Sequence, residues 1–262
     1  MIRFSHVNLA AASSLTVSTT TFTETEAAVG VRHPERPFLR AYSPDMSVGH
    51  RVVFDLGTTT TLDVVALVNV NFASAWISGH ATDSWGAPSY GQLVTITPSP
   101  TGRYTYAHRI TSPAFAYRYL SVHVPSSVGD TTDGAVRFAI GGIWAGTLTA
   151  PPRDVRMDPE EEAIEAYADL ATSDGRLLQR VFLDEPAFQF TAQRHAADEA
   201  ELAAWRVIDR AWGTADGGYG LVTLRDDYPA ECFVMRPTSM SRWRHARVWS
   251  ESELALREVL AG

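Results

Sequence analysis

The chain has 262 residues, 45% apolar and 20% charged, with a formal net charge of -8 at pH 7. This composition is typical of a folded protein with a sizeable core, and the acidic balance argues against nucleic-acid binding, which needs a basic face. The single cysteine, Cys232, excludes an intramolecular disulfide and a cysteine metal cluster. Because no apolar run approaches the roughly 20 residues of a membrane-spanning helix, and the N-terminus lacks the apolar core of a signal peptide, we expect no membrane insertion.

The first half of the chain, residues 1–148, is predicted to be a β-sandwich. Short alternating or apolar runs are separated by segments rich in Gly, Pro, Ser and Asp, as in sandwich folds. The predicted strands are Ser14–Ser18, Phe38–Tyr42, Arg51–Leu56, Leu62–Asn71, Gln92–Thr97, Tyr117–Val124 and Ala135–Ile140. In Tyr117–Val124 the alternation predicts that Leu120, Val122 and Val124 face the core.

The strands Arg51–Leu56 and Leu62–Asn71 are separated by Gly57 and a run of threonines, which predicts a turn between two paired strands. Asp55 could be a ligand. We favour a structural role, in which its side chain stabilises the turn and Gly57 supplies a positive φ.

The segment Phe72–Gly91 is predicted to be a loop and is the candidate binding surface. Its aromatic and polar residues lie among Gly and Ser, where they can stack on a sugar ring or anchor a protein partner. These residues are Trp76, His80, Asp83, Trp85 and Tyr90. The alternative is that Trp76 and Trp85 only close one end of the sandwich.

A linker is predicted at residues 149–157, where Pro151 and Pro152 prevent a helix or a central strand from continuing. The rest of the chain, 158–262, is predicted to be a smaller α+β domain. Residues 160–182 fit either a capped helix or a hairpin around Ser173–Gly175, and the Asp-Gly pair favours the hairpin.

One strong helix is predicted over 196–212, because Leu202, Trp205, Ile208 and Trp212 form an apolar stripe. Further strands are predicted at Gly220–Leu224, Glu231–Met235 and Arg244–Trp249. The last segment, Glu251–Leu260, fits a helix or a closing strand.

The sequence carries no catalytic signature: it lacks a Gly-x-Ser-x-Gly motif, a phosphate loop, a His-Glu-x-x-His motif and a dinucleotide fingerprint. No two of the eight histidines lie three or four residues apart, so a helical metal pair is excluded. We therefore expect a protein that is not an enzyme and that needs no metal and no cofactor.

The order of the pieces Val7–Ser18, Pro37–Tyr42, Phe54–Gly57 and Val64–Asn71 resembles the discoidin-like, galactose-binding-like β-sandwich found in tailed-phage tail modules. In the second half, Phe188–Thr191, a helix with Leu202 and Trp205, Gly213 and the strand Gly220–Leu224 resemble the distal tail proteins of long-tailed phages. In that family the ring-forming domain normally precedes the galactose-binding-like domain, and this chain has the opposite order.

The resemblance implies a structural subunit of a tail tip or baseplate in the virion, assembled in the host cytoplasm. Its partners would be copies of itself in a ring, with a hexamer favoured and a trimer as the alternative, and the neighbouring tail tube and tip proteins. The first alternative is a carbohydrate-binding or receptor-binding module that takes a surface glycan. The second is a hydrolase with an appended sandwich, for which the second domain is small.

Overall fold

The structure is a computed structural model that describes residues 2–12, 14–17, 41–42, 49–98, 105–111, 113–126, 131–132, 138–152, 156–171, 177–214, 218–240, 243–245 and 250–258. Within these residues the strands form three sheets, and all pairings between strands are antiparallel. The sheets and one long helix stack as successive layers. The mainly β fold with a sandwich and one main helix confirms the predicted fold class.

The sandwich consists of two of these sheets, which we call the distal sheet and the middle sheet. In spatial order the distal sheet contains β2 (Ser14–Val17), β4 (His50–Leu62), β9 (Phe115–Val124), β6 (Ser74–His80) and β7 (Tyr90–Thr95). In the same way the middle sheet contains β3 (Ala41–Tyr42), β10 (Ala139–Gly146), β5 (Val64–Val70) and β8 (Tyr106–Arg109). A short helix, α1 (Leu9–Ala12), packs against β10 and β4.

Alternation along the strands explains the core between these two sheets. Leu120, Val122 and Val124 of β9 are buried there, as predicted, and they pack against residues such as Phe54 and Ile143 from the other strands. β5 is buried along its whole length, because both faces of the middle sheet are covered.

The prediction that the strands at 51–56 and 62–71 pair with each other is wrong. β4 pairs with β2 and β9 in the distal sheet, whereas β5 pairs with β10 and β8 in the middle sheet. The threonine run does not turn the chain either. It continues β4 after an irregularity between Asp55 and Thr60, and the chain crosses between the sheets only at Asp63.

The prediction that Phe72–Gly91 is a loop is wrong near both of its ends, since Tyr90 and Gly91 already belong to β7. Residues Ser74–His80 form β6, whose Ala75, Ile77 and Gly79 face the core. The connecting loop is therefore shorter, residues 81–89, and it joins β6 to β7 as a hairpin. The small residues of this strand conceal the alternation that larger apolar side chains would have shown.

The remaining strands form the C-terminal sheet. In spatial order it contains β1 (Arg3–Ser5), β13 (Gly220–Thr223), β14 (Cys232–Met240), β16 (Ser250–Glu258), β12 (Leu177–Ala196) and β11 (Arg156–Ala171), and β15 (Arg244–His245) also pairs with β16. β1 comes from the start of the chain, so the N-terminal strand belongs to the sheet built by the C-terminal half. The predicted domain boundaries at 148 and 158 stay a prediction.

Two alternatives left open by the sequence are settled in the C-terminal sheet. β11 and β12 form a long hairpin, which confirms the hairpin over the helix. The last segment is the closing strand β16, paired on both sides with β12 and β14. Parts of the predicted strands lie outside the described residues, at 18, 38–40, 135–137, 246–249 and 259–260. Other parts are described but lie just outside the observed strands, at 71, 96–97, 138, 224 and 231.

The predicted helix is α2 (Glu199–Thr214), which begins three residues later than expected because β12 continues to Ala196. Asp198 caps it, since its Oδ1 accepts the Glu201 N–H at 2.9 Å and the Glu201 carboxylate accepts the Ala197 N–H at 2.7 Å. The four predicted stripe residues are all at most 2% exposed. They pack against one face of the C-terminal sheet, on residues such as Phe233 and Leu254.

The opposite face of β13 and β14 packs on the middle sheet. Leu221, Cys232 and Val234 contact Val68 and Trp144 in a shared apolar layer. The Trp144 indole N–H donates to Ser5 Oγ at 3.0 Å, and Phe4 and Thr149 exchange backbone hydrogen bonds. The sandwich and the C-terminal sheet are thus joined by a second core.

His6 gives this fold a pH dependence. Its ring stacks on Phe4 and meets the Trp212 ring edge-on at 4.8 Å between centroids, and neither ring nitrogen has a hydrogen-bond partner among the described residues. Burial lowers the pKa of His6 from 6.5 to about 4. Between these values the unfolded chain binds more protons than the folded one, so stability is present above pH 6.5 and is lost as the pH falls towards 4.

We expect the free energy of unfolding to fall from about pH 7 to about pH 5, by up to about 1.4 kcal/mol per pH unit for one histidine. Urea denaturation at both pH values measures the slope. His6→Phe keeps an aromatic ring beside Phe4 and Trp212, and should reduce the slope; an unchanged slope would show that His6 is not responsible.

Candidate functional site

The face of the distal sheet that points away from the middle sheet, here the distal face, carries a row of four residues from four neighbouring strands. Arg51 of β4 lies opposite His123 of β9, His123 lies opposite Trp76 of β6, and Trp76 lies opposite Leu93 of β7. Trp76 is 40% exposed and Leu93 is 46% exposed. An indole and an aliphatic side chain thus form an exposed apolar pair beside an imidazole and a guanidinium.

The next row of the distal face consists of small or buried residues. Val53, Ser121, Ser78 and Gly91 are register neighbours, and the two serines are at most 3% exposed. A Cβ on Gly91 would lie 3.7 Å from Pro88 Cγ, so the end of the loop 81–89 lies against Gly91 at the edge of this row. On the distal face, this row lies next to Trp76 and Leu93.

Trp85 connects the loop 81–89 to the sheet. The Arg51 guanidinium carbon lies 5.2 Å from the centre of the Trp85 ring, and Arg51 also donates to Ser121 Oγ at 3.0 Å. The Trp85 indole N–H donates to Asp83 at 2.6 Å. Burial lowers the pKa of Arg51 and the nearby Asp83 opposes this effect. These contacts hold the loop over one end of the row that contains Trp76.

His123, next to Trp76, is a neutral hydrogen-bonding group at pH 7. Burial lowers its pKa from 6.5 to about 4, and the positive charge of Arg51 acts in the same direction. A neutral imidazole offers one donor and one acceptor, which suits a hydroxyl group as ligand.

His80 and Asp55 lie at the other end of the distal face, where each has a local partner. His80 Nδ1 accepts the Thr82 N–H at 3.1 Å and thereby shapes the start of the loop. Asp55 accepts the Gly57 N–H at 2.8 Å, and Gly57 has a φ of 80°, so Asp55 has a structural role as predicted, although it stabilises the irregularity within β4 and not a turn between two strands. Arg118 donates two hydrogen bonds of 2.7 Å to Asp55 and lowers the pKa of that carboxyl to about 2.

Tyr90 does not share this face with the other predicted site residues. It is 5% exposed and lies in the sandwich core, with its hydroxyl 2.6 Å from His108 Nε2. Burial raises the pKa of Tyr90 and lowers the pKa of His108. This pair links the edge strands of the two sheets. Of the predicted set, Trp76 and His80 lie on the distal face, Trp85 lies over it, and Tyr90 points to the opposite side.

Sequence reasoning missed Arg51, His123 and Leu93. The alternation of Tyr117–Val124 did place His123 on the side away from the core, but nothing local indicated which strands lie beside it.

A second concave region lies at the junction of the middle and C-terminal sheets, lined by Arg109, Asp226 and Tyr228 among others. Asp226 accepts hydrogen bonds from Arg3 at 3.0 and 3.3 Å and forms an ion pair with Arg109 at 2.5 Å. The pKa of Asp226 is lowered, chiefly by Arg3. This carboxylate therefore joins strands from both halves of the chain and is already paired.

Three further features of the described residues concern metals, the cysteine and membranes. No group of three or more His, Cys, Asp or Glu among them is placed to hold a metal ion. Cys232 is buried in the layer under Trp144, and burial raises the pKa of its thiol. In the part of the chain that the structure describes, no helix is long and apolar enough to cross a bilayer.

Comparison with known proteins finds no matching family model and no matching curated protein. Among solved structures the chain is similar to a GH29 fucosidase from Ruminococcus gnavus in complex with fucose, with 19% identity, a TM-score of 0.42, and coverage of 55% of this chain and 27% of the fucosidase.

It is also similar to a chitosan-binding module from a Paenibacillus chitosanase/glucanase, with 19% identity and a TM-score of 0.36 over 53% of this chain and 98% of the module. A fucose binding module from Streptococcus pneumoniae has 9% identity and a TM-score of 0.37 over 53% of this chain and 96% of the module. None of these three is a phage tail or baseplate protein. Similarities this distant do not show which ligand this chain binds or whether it has an activity. Two of the three similar structures are carbohydrate-binding modules.

Proposed function

We propose that this protein binds a saccharide on the distal face of its sandwich and does not catalyse a reaction. The observation that supports this is the row Arg51, His123, Trp76 and Leu93, in which an exposed indole lies beside a neutral imidazole. The flat apolar face of a sugar ring stacks on an indole. Its hydroxyl groups need directional donors and acceptors, and the neutral imidazole of His123 offers one of each.

The size of the exposed pair favours a sugar over a protein ligand. Among the described residues of the distal face, the large exposed apolar side chains are Trp76 and Leu93. A stable protein–protein interface buries about 800 Å² on each partner and contains a larger apolar centre. One or two sugar rings match the smaller surface.

A glycan array followed by calorimetric titration of the best ligand tests this function. We expect Trp76→Ala to weaken binding at least about tenfold, because an aromatic anchor at the centre of a contact is typically worth about 2 kcal/mol or more. Tyr228→Ala is the matched control, since Tyr228 is 49% exposed and lies outside the distal face. An array without any ligand, or a Trp76→Ala variant that binds like the wild type, would contradict the proposal.

A second function, that of a structural subunit in the ring of a phage tail tip or baseplate, is supported by a different observation. Among the described residues, β12 pairs with β16 over residues 189–196, and its residues 177–188 pair with β11 alone. The hairpin therefore extends beyond the C-terminal sheet as a two-stranded arm. Such arms are marginally stable in water unless another surface covers them, and an assembled ring would supply that surface.

Light scattering of the purified chain, alone and with tail tube and tip proteins, tests the structural function. A discrete ring, a hexamer or a trimer, is the expected species. In that case the protein acts at the tail tip of the virion and is assembled in the host cytoplasm. A monomer under all of these conditions would contradict this second function.

A further inference from the structure

The segment 74–98, which forms β6, the loop 81–89 and β7 and continues to Pro98, carries almost no charge. Fourteen of its 25 residues are exposed, and Asp83 is the one Asp, Glu, Lys or Arg in the segment. Charged residues make up 20% of the whole chain and lie mostly at the surface of folded proteins. The exposed positions here carry mainly small or polar uncharged residues, so the surface around Trp76 and Leu93 is polar without being charged.

The other described strands of the distal sheet carry three charged residues, and two of them cancel. Arg118 of β9 donates two hydrogen bonds of 2.7 Å to Asp55 of β4. A guanidinium and a carboxylate joined by two parallel hydrogen bonds form a geometrically specific ion pair. This pair therefore adds no net charge to the distal sheet.

The third charged residue, Arg51, meets its opposite charge at the ring of Trp85. The Arg51 guanidinium carbon lies 5.2 Å from the centre of this ring, and the indole N–H donates to Asp83 at 2.6 Å. The Asp83 carboxylate acts on Arg51 electrostatically, in the direction that favours the charged guanidinium. One positive and one negative group are thus held beside the same indole.

His123 adds no charge to this arrangement at pH 7. It lies between Arg51 and Trp76 in the row across the sheet, and burial lowers its pKa to about 4, with Arg51 acting in the same direction. The described residues of the distal sheet and the loop 81–89 thus contain two arginines and two carboxylates, in a chain with a net charge of -8. The candidate binding surface is electrically balanced although the whole chain is acidic.

We infer that the saccharide bound on the distal face is uncharged, which excludes sugar acids, sulfated sugars and amino sugars with a free amine. A charged group on a ligand loses hydration when it binds and needs a compensating partner. The charge of Arg51 is already balanced by Asp83, so neither an anion nor a cation finds an unbalanced partner there. Hydroxyl groups need only donors and acceptors such as the His123 imidazole. This inference rests on the first proposed function and narrows its ligand class.

A glycan array that carries neutral saccharides beside their charged forms tests the ligand class. The matched probes include chitin and chitosan oligosaccharides, N-acetyllactosamine and its sialylated form, and dextran and dextran sulfate. We expect the neutral form of a bound saccharide to bind at least about tenfold more tightly than its charged form, because the charge is desolvated without a partner. Calorimetric titration of the best ligand at about 0.05 M and about 0.5 M NaCl should give Kd values within about twofold of each other, since salt screens charges only.

Asp83→Asn tests the charge balance directly. The asparagine oxygen can still accept the Trp85 N–H, but Arg51 loses its compensating charge. We expect the ratio of the affinities for the best neutral ligand and for its sulfated form to shift towards the sulfated form by about two- to fivefold, the range of one partly exposed charge interaction. Glu199→Gln is the matched control, because Glu199 is 82% exposed on α2 and its loss changes the net charge equally. In this control the ratio should keep its wild-type value.

The outcomes separate this inference from the proposed function. A charged saccharide that binds more tightly than its neutral form, and loses affinity in Trp76→Ala, would overturn the inference and leave saccharide binding standing. A Kd that rises steeply with salt would do the same, as would an Asp83→Asn variant with the wild-type ratio of affinities. An array without any ligand would overturn saccharide binding itself, and the inference with it.

Discussion

Replacing Asp209 by alanine is expected to lower the free energy of unfolding by about 3–5 kcal/mol, because it leaves a buried guanidinium without its counter-ion. The Arg194 side chain is 0% exposed and pairs with Asp209 of α2. It also donates to Ser252 Oγ at 2.6 Å. Trp205 and Trp243 flank the guanidinium at 5.6 and 5.0 Å from their ring centres.

Asp209 has a second partner, since its other oxygen accepts the Trp243 indole N–H at 3.1 Å. The carboxylate thus joins α2 to β12 and to the residue that precedes β15. Burial lowers the pKa of Arg194, and Asp209 opposes that effect. Loss of the carboxylate removes both the charge compensation and the link to Trp243.

Urea denaturation followed by circular dichroism measures the effect. The double variant Arg194→Met with Asp209→Ala is the control, because it removes the buried charge together with its partner and should recover much of the loss. A single variant within about 0.5 kcal/mol of the wild type, the range of ordinary surface substitutions, would show that solvent already compensates Arg194.

Trp144→Ala is expected to cost about 3–5 kcal/mol, the usual range for removal of a buried aromatic side chain, and to separate the unfolding of the two halves. Trp144 is 3% exposed and lies in the apolar layer between the middle sheet and the C-terminal sheet. Its loss leaves a cavity in the layer and deprives Ser5 of the indole hydrogen bond. Because the remaining contacts across the layer come from smaller side chains, the sandwich should unfold more independently of the C-terminal sheet.

Calorimetry of wild type and variant distinguishes one unfolding transition from two. Trp76→Ala is the control, since Trp76 is 40% exposed and belongs to none of the hydrophobic cores, so its removal should cost less stability than Trp144→Ala and should not separate the two halves. A Trp144→Ala variant that unfolds in a single transition at the wild-type temperature would contradict the importance of this layer.

Elements whose apolar residues recur at a regular spacing, and turns with a typical residue pair, could be predicted from the sequence. The stripe of Leu202, Trp205, Ile208 and Trp212 has helical spacing, and the helix is there. The alternation of Leu120, Val122 and Val124 placed the buried face of β9. The Asp-Gly pair indicated the long hairpin correctly.

Features that depend on pairing between distant segments could not be predicted. Arg51 and His123 are neighbours only because β4 and β9 pair in one register, and no local pattern specifies that register. Tyr90 was expected in a loop because β7 begins two residues earlier than its apolar pattern suggests. β1 joins the C-terminal sheet through residues more than 200 positions away, a contact without any sequence signature.

The central claim is that the distal face binds a saccharide around Trp76, and nuclear magnetic resonance of the labelled protein titrated with the best array ligand tests it most directly. The claim predicts that the Trp76 indole signal and the amide signals of Leu93 and His123 shift together and saturate, while those of α2 remain in place. Shifts confined to the C-terminal sheet, or none at saturating ligand, would contradict it.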